Sequence, residues 1–501
     1  MPDPNRRGFV VAASGTGSGK TTLTMALLAA LVRRGLSPRP FKVGPDPLDS
    51  GLHAGVVTPV HSARIPNPGR NLDGWLFGKE MCRAIFERGM ASADDRAVAV
   101  VEGVMGIFDG ADAVAESGST AEMAKWLNLP VLLILNAQGA GRTIAALVKG
   151  LIAFDPDVNY LGIVCNNVGS ARHEAGLRRT LDALCPDIPL LGCFPRNEHI
   201  SLPSRHLGLR AAHEGILMPA FQNNLVDWAE RNMDIELLLE KIGVPGSCPP
   251  GSIPAAPLEN IPLSGGTVSP PLRALETPVR LGVSCDEALY FLTEDNLYQL
   301  RAAGAELVFF SPLHDTALPP DLDGLYLCGG YPELHAETLS QNSGMLCALR
   351  DFAASGRPVW AAGGGFLYLL SSFTAPSSAA NDSFMPFSMA GIFEGHASLE
   401  MRLQALGYRE IHMKKAGLFG PEGTALRGNE FRYSRLLAIA EHYPTIFEAL
   451  DRQGQSVGAE GFTLPDNPNV LGTFMHIHLG GTPGAAEHFV SHLVAAKRNL
   501  Q

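Results

Sequence analysis

The run Ser14-Gly15-Thr16-Gly17-Ser18-Gly19-Lys20-Thr21-Thr22 joins an apolar stretch, FVVAA, to the amphipathic stretch LTMALLAALVRRG. Closely spaced glycines let backbone N–H groups converge on phosphate oxygens, and a helix beginning there adds a favourable dipole. Gly15, Gly17, Gly19, Lys20, Thr21 and Thr22 are therefore candidate ATP-binding residues. Lys20 would neutralise the β- and γ-phosphates, and the Thr21 hydroxyl can ligate Mg²⁺. Ser14 stands where the usual GxxxxGK[ST] pattern has glycine, so the match is incomplete. Two acids complete the chemistry: Asp46 follows PFKVG, and Glu102 ends AVAVVEG. Hard carboxylate oxygens beside a threonine hydroxyl and phosphate suit octahedral Mg²⁺, although a lone Asp or Glu more often sits solvated in a loop.

These residues need a frame that presents them together. FVVAA, RPFKVG, AVAVVEGV, PVLLILNA and YLGIVCNN are short, continuously apolar and separated by helical patterns, as in a parallel sheet covered on both faces. The carboxyl ends of such strands are where an open α/β sheet binds its ligand, and both acids fall there. The spacing predicts a phosphate-loop synthetase domain over residues 1–242, ending in a polar helix near 224–242. Residues 243–278, rich in Pro, Gly and Ser, read as a linker. Strands resume at VRLGVSCD, AELVFFSP, GLYLCGG and RPVWAAGGG, giving a second α/β domain over 279–501.

A chain of 501 residues suits two cores rather than one. The opening Arg6-Arg7 before an apolar stretch resembles a signal peptide only until the stretch runs into the phosphate loop, where it reads as a first strand. No apolar run approaches the roughly 18 residues that span a bilayer, so no membrane partner is expected. Eight cysteines without CxxC spacing suit reduced thiols in the cytoplasm. A net charge of −11 argues against non-specific nucleic-acid binding, while leaving room for a local basic pocket.

Several longer motifs then occur in order: KVGPDPLD (42–49), VVEGVMGIFDG (100–110), GSTAEMAKWL (118–127), NNVGSARHE (166–174) and LPSRHLGL (202–209). The second half adds DNLYQLRAAGAELVFFSPL, GLYLCGGYPE, RLQALGYRE and GNEFRYS. Together they resemble the cobyrinic acid a,c-diamide synthases, including the hydrogenobyrinic acid and sirohydrochlorin versions. The resemblance implies a dethiobiotin-synthase-like phosphate-loop domain followed by a class I glutamine-amidotransferase-like domain. It implies that ATP phosphorylates a peripheral acetate carboxylate of a tetrapyrrole and that ammonia displaces the phosphate. By this resemblance Lys20, Thr21, Asp46 and Glu102 handle Mg-ATP, and Lys42 contacts the transferred phosphate. Asp49, Ser119, Arg205 and His206 become candidate substrate contacts, with helix capping and turn bonds as their alternative roles. A homodimer is also in keeping with the family.

The second half departs from the family at its centre. The family's thiolate sits on a tight strand-to-helix turn reading AECGG, whereas this chain reads Ala361-Ala362-Gly363-Gly364-Gly365. Gly363 stands where the cysteine belongs and Ala362 where the glutamate belongs, and glycine has no side chain to attack an amide. His476 of GTFMHIHLGG keeps the family's histidine position. Cys328, on the loop expected to supply the oxyanion hole, is the nearest alternative thiol, although a buried thiol at a strand end is usually inert packing. His476 with His478 could bind a metal, but two histidines without further ligands are a weak signal. The expected nitrogen source is accordingly free ammonia or ammonia from another protein. A divergent or engineered site whose synthetase half no longer needs coupling is a third reading.

Two rival functions fit part of the pattern. Related ligases of the biotin pathway and cobyric acid synthase share the fold, but VMGIFDG and LPSRHLGL favour the a,c-diamide branch. A nucleotide-switched regulatory ATPase with a dead amidotransferase domain would explain Gly363. The partition ATPases of that kind carry an early lysine in the phosphate loop, where this chain has Ala12, Ala13 and Ser14. Asn136 occupies a place where the family commonly has aspartate. Asparagine there keeps an acceptor and loses a charge.

Overall fold

The computed structural model describes residues 7–58, 64–66, 69–91, 96–202, 204–205, 208–209, 216–244, 260–262, 268–377 and 383–500. It divides into two compact units, one of residues 1–60 and 66–259, the other of 61–65 and 260–501. Among the described residues no helix is long and apolar enough to cross a membrane. Within the Pro/Gly/Ser-rich segment, residues 245–259 and 263–267 lie outside the described residues. Val268–Ser269 pair antiparallel with a strand of the second unit.

The main sheet of the first unit is built from β1 (Gly8–Ala13), β2 (Ser37–Val43), β3 (Arg70–Leu72), β4 (Ala97–Glu102), β5 (Val131–Asn136), β6 (Tyr160–Val168) and β7 (Leu190–Pro195). They form one parallel sheet in the order β3-β2-β4-β1-β5-β6-β7. Helices α1 (Lys20–Arg33), α2 (Pro47–Val57), α3 (Gly74–Ala91), α4 (Thr120–Leu127), α5 (Thr143–Phe154) and α6 (Ala171–Leu184) cover it. The sequence dictates this burial: Phe9 to Ala13 and Val98 to Val101 are fully enclosed, as expected of a sheet with helices on both faces. The polar stretch expected as one helix is two, α7 (Pro219–Asn232) and α8 (Ile235–Lys241). Asp234 breaks them by accepting the Leu237 N–H, a cap that needs non-helical backbone.

The second unit has an eleven-stranded sheet of described strands. Its strands are β8 (Val268–Ser269), β9 (Val279–Ser284), β10 (Ala305–Phe310), β11 (Gly324–Leu327), β12 (Val359–Ala362), β13 (Ala405–Met413), β14 (Ala425–Arg432), β15 (Thr445–Leu450), β16 (Ser456–Thr463), β17 (Val470–Thr473) and β18 (His476–Ile477). The order is β8-β10-β9-β11-β12-β17-β16-β15-β13-β14-β18. Strands β10, β9, β11, β12 and β17 run parallel, and from β17 onward the pairing is antiparallel. The parallel half matches the apolar runs of the sequence. The antiparallel extension does not announce itself, because strands such as β13 and β16 are half-exposed and polar.

Candidate active site

Strands β4 and β2 place Lys42 and Glu102 as register partners on neighbouring parallel strands, so their side chains emerge together. The Lys42 ammonium lies 3.1 Å from Glu102 Oε1, 3.0 Å from Asp49 Oδ2 and 2.9 Å from the Gly103 carbonyl. Thr21, on the first turn of α1, donates its hydroxyl to Glu102 Oε1 at 2.8 Å. His53 Nε2 completes the cluster 2.6 Å from Glu102 Oε2. Glu102, Lys42 and His53 are all buried.

Burial alone would raise the Glu102 carboxyl, but Lys42, His53 and the Thr21 hydroxyl outweigh it and hold the group well below the usual carboxylate range. Burial opposes charge on Lys42 as well, and the carboxylates of Glu102, Asp49 and Asp46 override it, raising Lys42 above its ordinary value. Lys20 is shifted the other way, lowered by burial and then by the neighbouring Lys42 charge.

The phosphate loop has the shape its glycines allow. Gly17 and Gly19 hold φ of 76° and 95°, and nothing stands within 4 Å of the outward positions of Gly15 and Gly17. Ser18 donates its hydroxyl to the Gly15 carbonyl at 2.9 Å, and Asn166 Nδ2 donates to the Ser18 carbonyl at 2.9 Å. Lys20 bonds the carbonyls of Gly15, at 3.3 Å, and Met105. Thr22 is half-buried on the same first turn. Asp46 caps α2, its Oδ1 accepting from the Leu48 and Asp49 N–H groups at 2.8 and 3.4 Å.

The remaining expected contacts divide. Asp49 joins the buried cluster through Lys42. Ser119 is fully buried and caps α4, accepting the Glu122 N–H at 3.0 Å, which is the structural role the sequence reading set beside substrate contact. Arg205 lies on a two-residue strand, Ser204–Arg205, paired with Gly208–Leu209, and His206 lies outside the described residues. Asn136 Oδ1 accepts from Gln138 N and Asn167 Nδ2, at 3.1 and 3.0 Å. Sequence reasoning missed His53 and Asn166. His53 had a legible signal, lying four residues after Asp49 and seven after Asp46, on one face of α2. Asn166 had none, because its role depends on β6 ending beneath the phosphate loop.

In the second unit, β12 turns sharply at Gly363, with φ 51° and ψ −114°, into the helix α9 (Gly364–Leu369). The Gly363 N–H donates to the Thr473 carbonyl at 2.8 Å. A Cβ on Gly363 would lie 2.7 Å from His476 Cε1 and 2.9 Å from its Nε2, and one on Gly329 would lie 2.2 Å from Cε1. The imidazole therefore sits in the niche that a side chain at 363 would enter. Burial lowers the His476 pKa to about 4, which keeps the ring neutral.

Cys328 is fully buried. Its Sγ lies 3.4 Å from the Ser284 carbonyl, and burial raises its thiol far above the ordinary value. A thiol so placed stays protonated at neutral pH, which works against nucleophilic attack. Iodoacetamide applied to the folded chain is expected to label the exposed Cys347 and leave Cys328 unmodified, as read by peptide mass spectrometry. Rapid labelling of Cys328 would reopen it as a nucleophile.

Comparison with known proteins agrees with both halves. Residues 9–209 match the CobQ/CobB/MinD/ParA nucleotide binding domain, and residues 280–483 match the CobB/CobQ-like glutamine amidotransferase domain. A cobyrinate a,c-diamide synthase of Syntrophotalea carbinolica is 40% identical over 484 residues, covering 96% of this chain and 97% of the relative. Proteins of the same name from Leptospira interrogans and Dehalococcoides mccartyi are 37% and 35% identical, each covering 96% of this chain and 97% of the relative. On the strength of these near full-length matches, the chain belongs to the cobyrinate a,c-diamide synthase family.

Proposed function

We propose that this chain amidates the a- and c-acetate carboxylates of a tetrapyrrole of the cobyrinic acid type, using Mg-ATP and ammonia. The observation that carries this reading is the cluster of the half-buried Thr21 with the buried Lys42, His53 and Glu102 at the carboxyl end of β4, beside an open phosphate loop.

The residues present fit the nucleotide and its metal. Thr21 Oγ1 and Glu102 Oε1 are hard oxygen donors 2.8 Å apart, and Mg²⁺ takes such donors together with phosphate oxygens and water. Asp46 is the further acid on this side of the sheet. The metal, when bound, supplies charge neutralisation for the phosphates. Lys20 exchanges its carbonyl partners for the β- and γ-phosphates, and the backbone of Gly15, Gly17 and Gly19 receives phosphate oxygens.

A carboxylate is a poor electrophile. Its oxygen attacks the γ-phosphorus, the bond to the β-phosphate oxygen breaks, and ADP leaves with that electron pair. The resulting acyl phosphate has a good leaving group. Ammonia attacks its carbonyl carbon, inorganic phosphate departs, and the nitrogen sheds a proton to give the amide. Lys42, held in place by Glu102 and Asp49, neutralises charge on the transferred group. With Gly363 in place of a nucleophile, ammonia arrives free or from another protein.

Incubation of the chain with cobyrinic acid, Mg-ATP and ammonium is expected to yield a product carrying two amides by mass spectrometry, with one ADP per amide. Absence of amidation across cobyrinic, hydrogenobyrinic and sirohydrochlorin-type acids would refute the reading.

A further inference from the structure

A cavity of about 340 Å³ lies wholly within the second unit, walled by β13, β14, β15 and β16 and by the turn from β17 to β18. It collects residues from two motifs that the chemistry above does not use: Gln404, Ala405 and Arg409 from RLQALGYRE, and Glu430 and Arg432 from GNEFRYS. Glu430 and Arg432 are two apart on β14 and so share a face, and Gly407, opposite Glu430, leaves room for the Arg409 guanidinium.

Glu430 is buried and holds both arginines. Its Oε2 lies 3.2 and 3.0 Å from Nε and Nη2 of Arg409, and its Oε1 lies 2.8 Å from Nε of Arg432. Arg432 Nη1 donates to the Ser434 carbonyl at 2.6 Å, while Nη2 is bonded to none of the described residues. The guanidinium lies over the Phe474 ring, 4.4 Å from its centroid. At the back of the cavity Glu460 has both oxygens engaged, by the N–H groups of Phe474 and Gly461 and by the Thr473 hydroxyl. Burial pushes the Glu460 carboxyl up to about 7, so near neutral pH it carries only part of a full negative charge, spread over these three donors.

Arg409 is held on all three nitrogens, its Nη1 donating to the Tyr408 carbonyl at 3.0 Å, so Arg432 Nη2 is the guanidinium nitrogen left open to the cavity, which Phe462 and Phe474 flank. A planar guanidinium of this kind selects carboxylate oxygens, and the aromatic walls select a ligand with an apolar body beside its charge. We propose that this cavity binds a peripheral carboxylate of the tetrapyrrole, with Arg432 as its anchor, Arg409 and Glu430 holding that guanidinium's surroundings in place, and Phe462 and Phe474 against the adjoining apolar edge. The inference rests on the tetrapyrrole reading above. It gives the second unit a binding role that needs no nucleophile at Gly363.

Equilibrium dialysis of the full chain against cobyrinic acid, without nucleotide, tests it. Arg432→Gln is expected to weaken binding about 10- to 100-fold, the usual effect of losing a charge-assisted hydrogen bond. Because that change leaves Glu430 with one partner fewer, Arg432→Gln/Glu430→Gln and Ala459→Trp accompany it. The last fills the cavity from an exposed position on its wall. All three are expected to weaken cobyrinic acid binding while ATP affinity stays at the wild-type value. Wild-type binding with no loss in any of the three variants would overturn the cavity assignment and leave the tetrapyrrole reading standing. No binding by the wild type would overturn both. Displacement of the acid by inorganic phosphate at equal concentration would also overturn it, by marking a phosphate site instead.

Discussion

Glu102→Gln is expected to lower the kcat of amidation by about 10²- to 10³-fold, the usual consequence of removing one preorganised charge from a buried reaction centre. The glutamine keeps the shape of the side chain and can still meet the Thr21 hydroxyl, so the loss isolates the charge. That charge is shared among three neighbours: it anchors Lys42, it faces His53, and its Oε1 stands beside the Thr21 hydroxyl where the metal would bind. A matching stability effect follows, because removing one partner of a buried pair leaves Lys42 paired with Asp49 and only the more distant Asp46 charge beside it. Its pH dependence has a definite sign. Glu102 titrates well below its unfolded value of about 4.3, so its contribution is complete above that pH and fades as the pH falls below it. Chemical unfolding should therefore show a constant gap between wild type and variant from about pH 5 to 8, narrowing below about pH 4. Equal stability and equal kcat for the two proteins would remove Glu102 from the centre of the site.

Much of this centre was legible because it depends on local patterns. The phosphate loop with its lysine and threonine follows from a strand-to-helix junction, and the acid closing β4 from the end of an apolar run, each readable within ten residues. Lys42 and Glu102 illustrate the limit. Each lies at the end of an apolar run, but their contact exists because β2 and β4 are adjacent and in register, and a sequence does not print strand order. His53 shows the same limit from the helix side. The antiparallel strands β13 to β16 were hidden for a different reason. One face of each is wet, and glycines such as Gly407 and Gly458 interrupt the alternation that marks such strands. The cavity residues consequently appeared only as motif fragments without a place.

The largest effect expected in the second unit concerns nitrogen. Supplied with glutamine alone, the wild-type chain should form no amide, and it should form amide once ammonium is added. Gly363 offers no nucleophile, Cys328 is buried and protonated, and the neutral His476 ring occupies the niche beside the turn. Yet the turn itself survives. Its φ of 51° and ψ of −114° form the strained strand-to-helix corner that presents a nucleophile in other enzymes. A side chain there must hold that backbone at a cost of about 1–3 kcal/mol and displace His476, whose contacting atoms are the far end of a rotatable side chain. Gly363→Cys should therefore fold with somewhat reduced stability, and its thiol would stand against a neutral imidazole able to take its proton. Glutamine hydrolysis is expected to rise about 10²- to 10⁴-fold over the wild-type background, the range general-base assistance supplies. His476→Ala in the same background should abolish the gain, which separates an assembled thiol–imidazole pair from an adventitious thiol. Amide formed from glutamine by the wild type would overturn this expectation and return the nitrogen chemistry to Cys328 or another nucleophile.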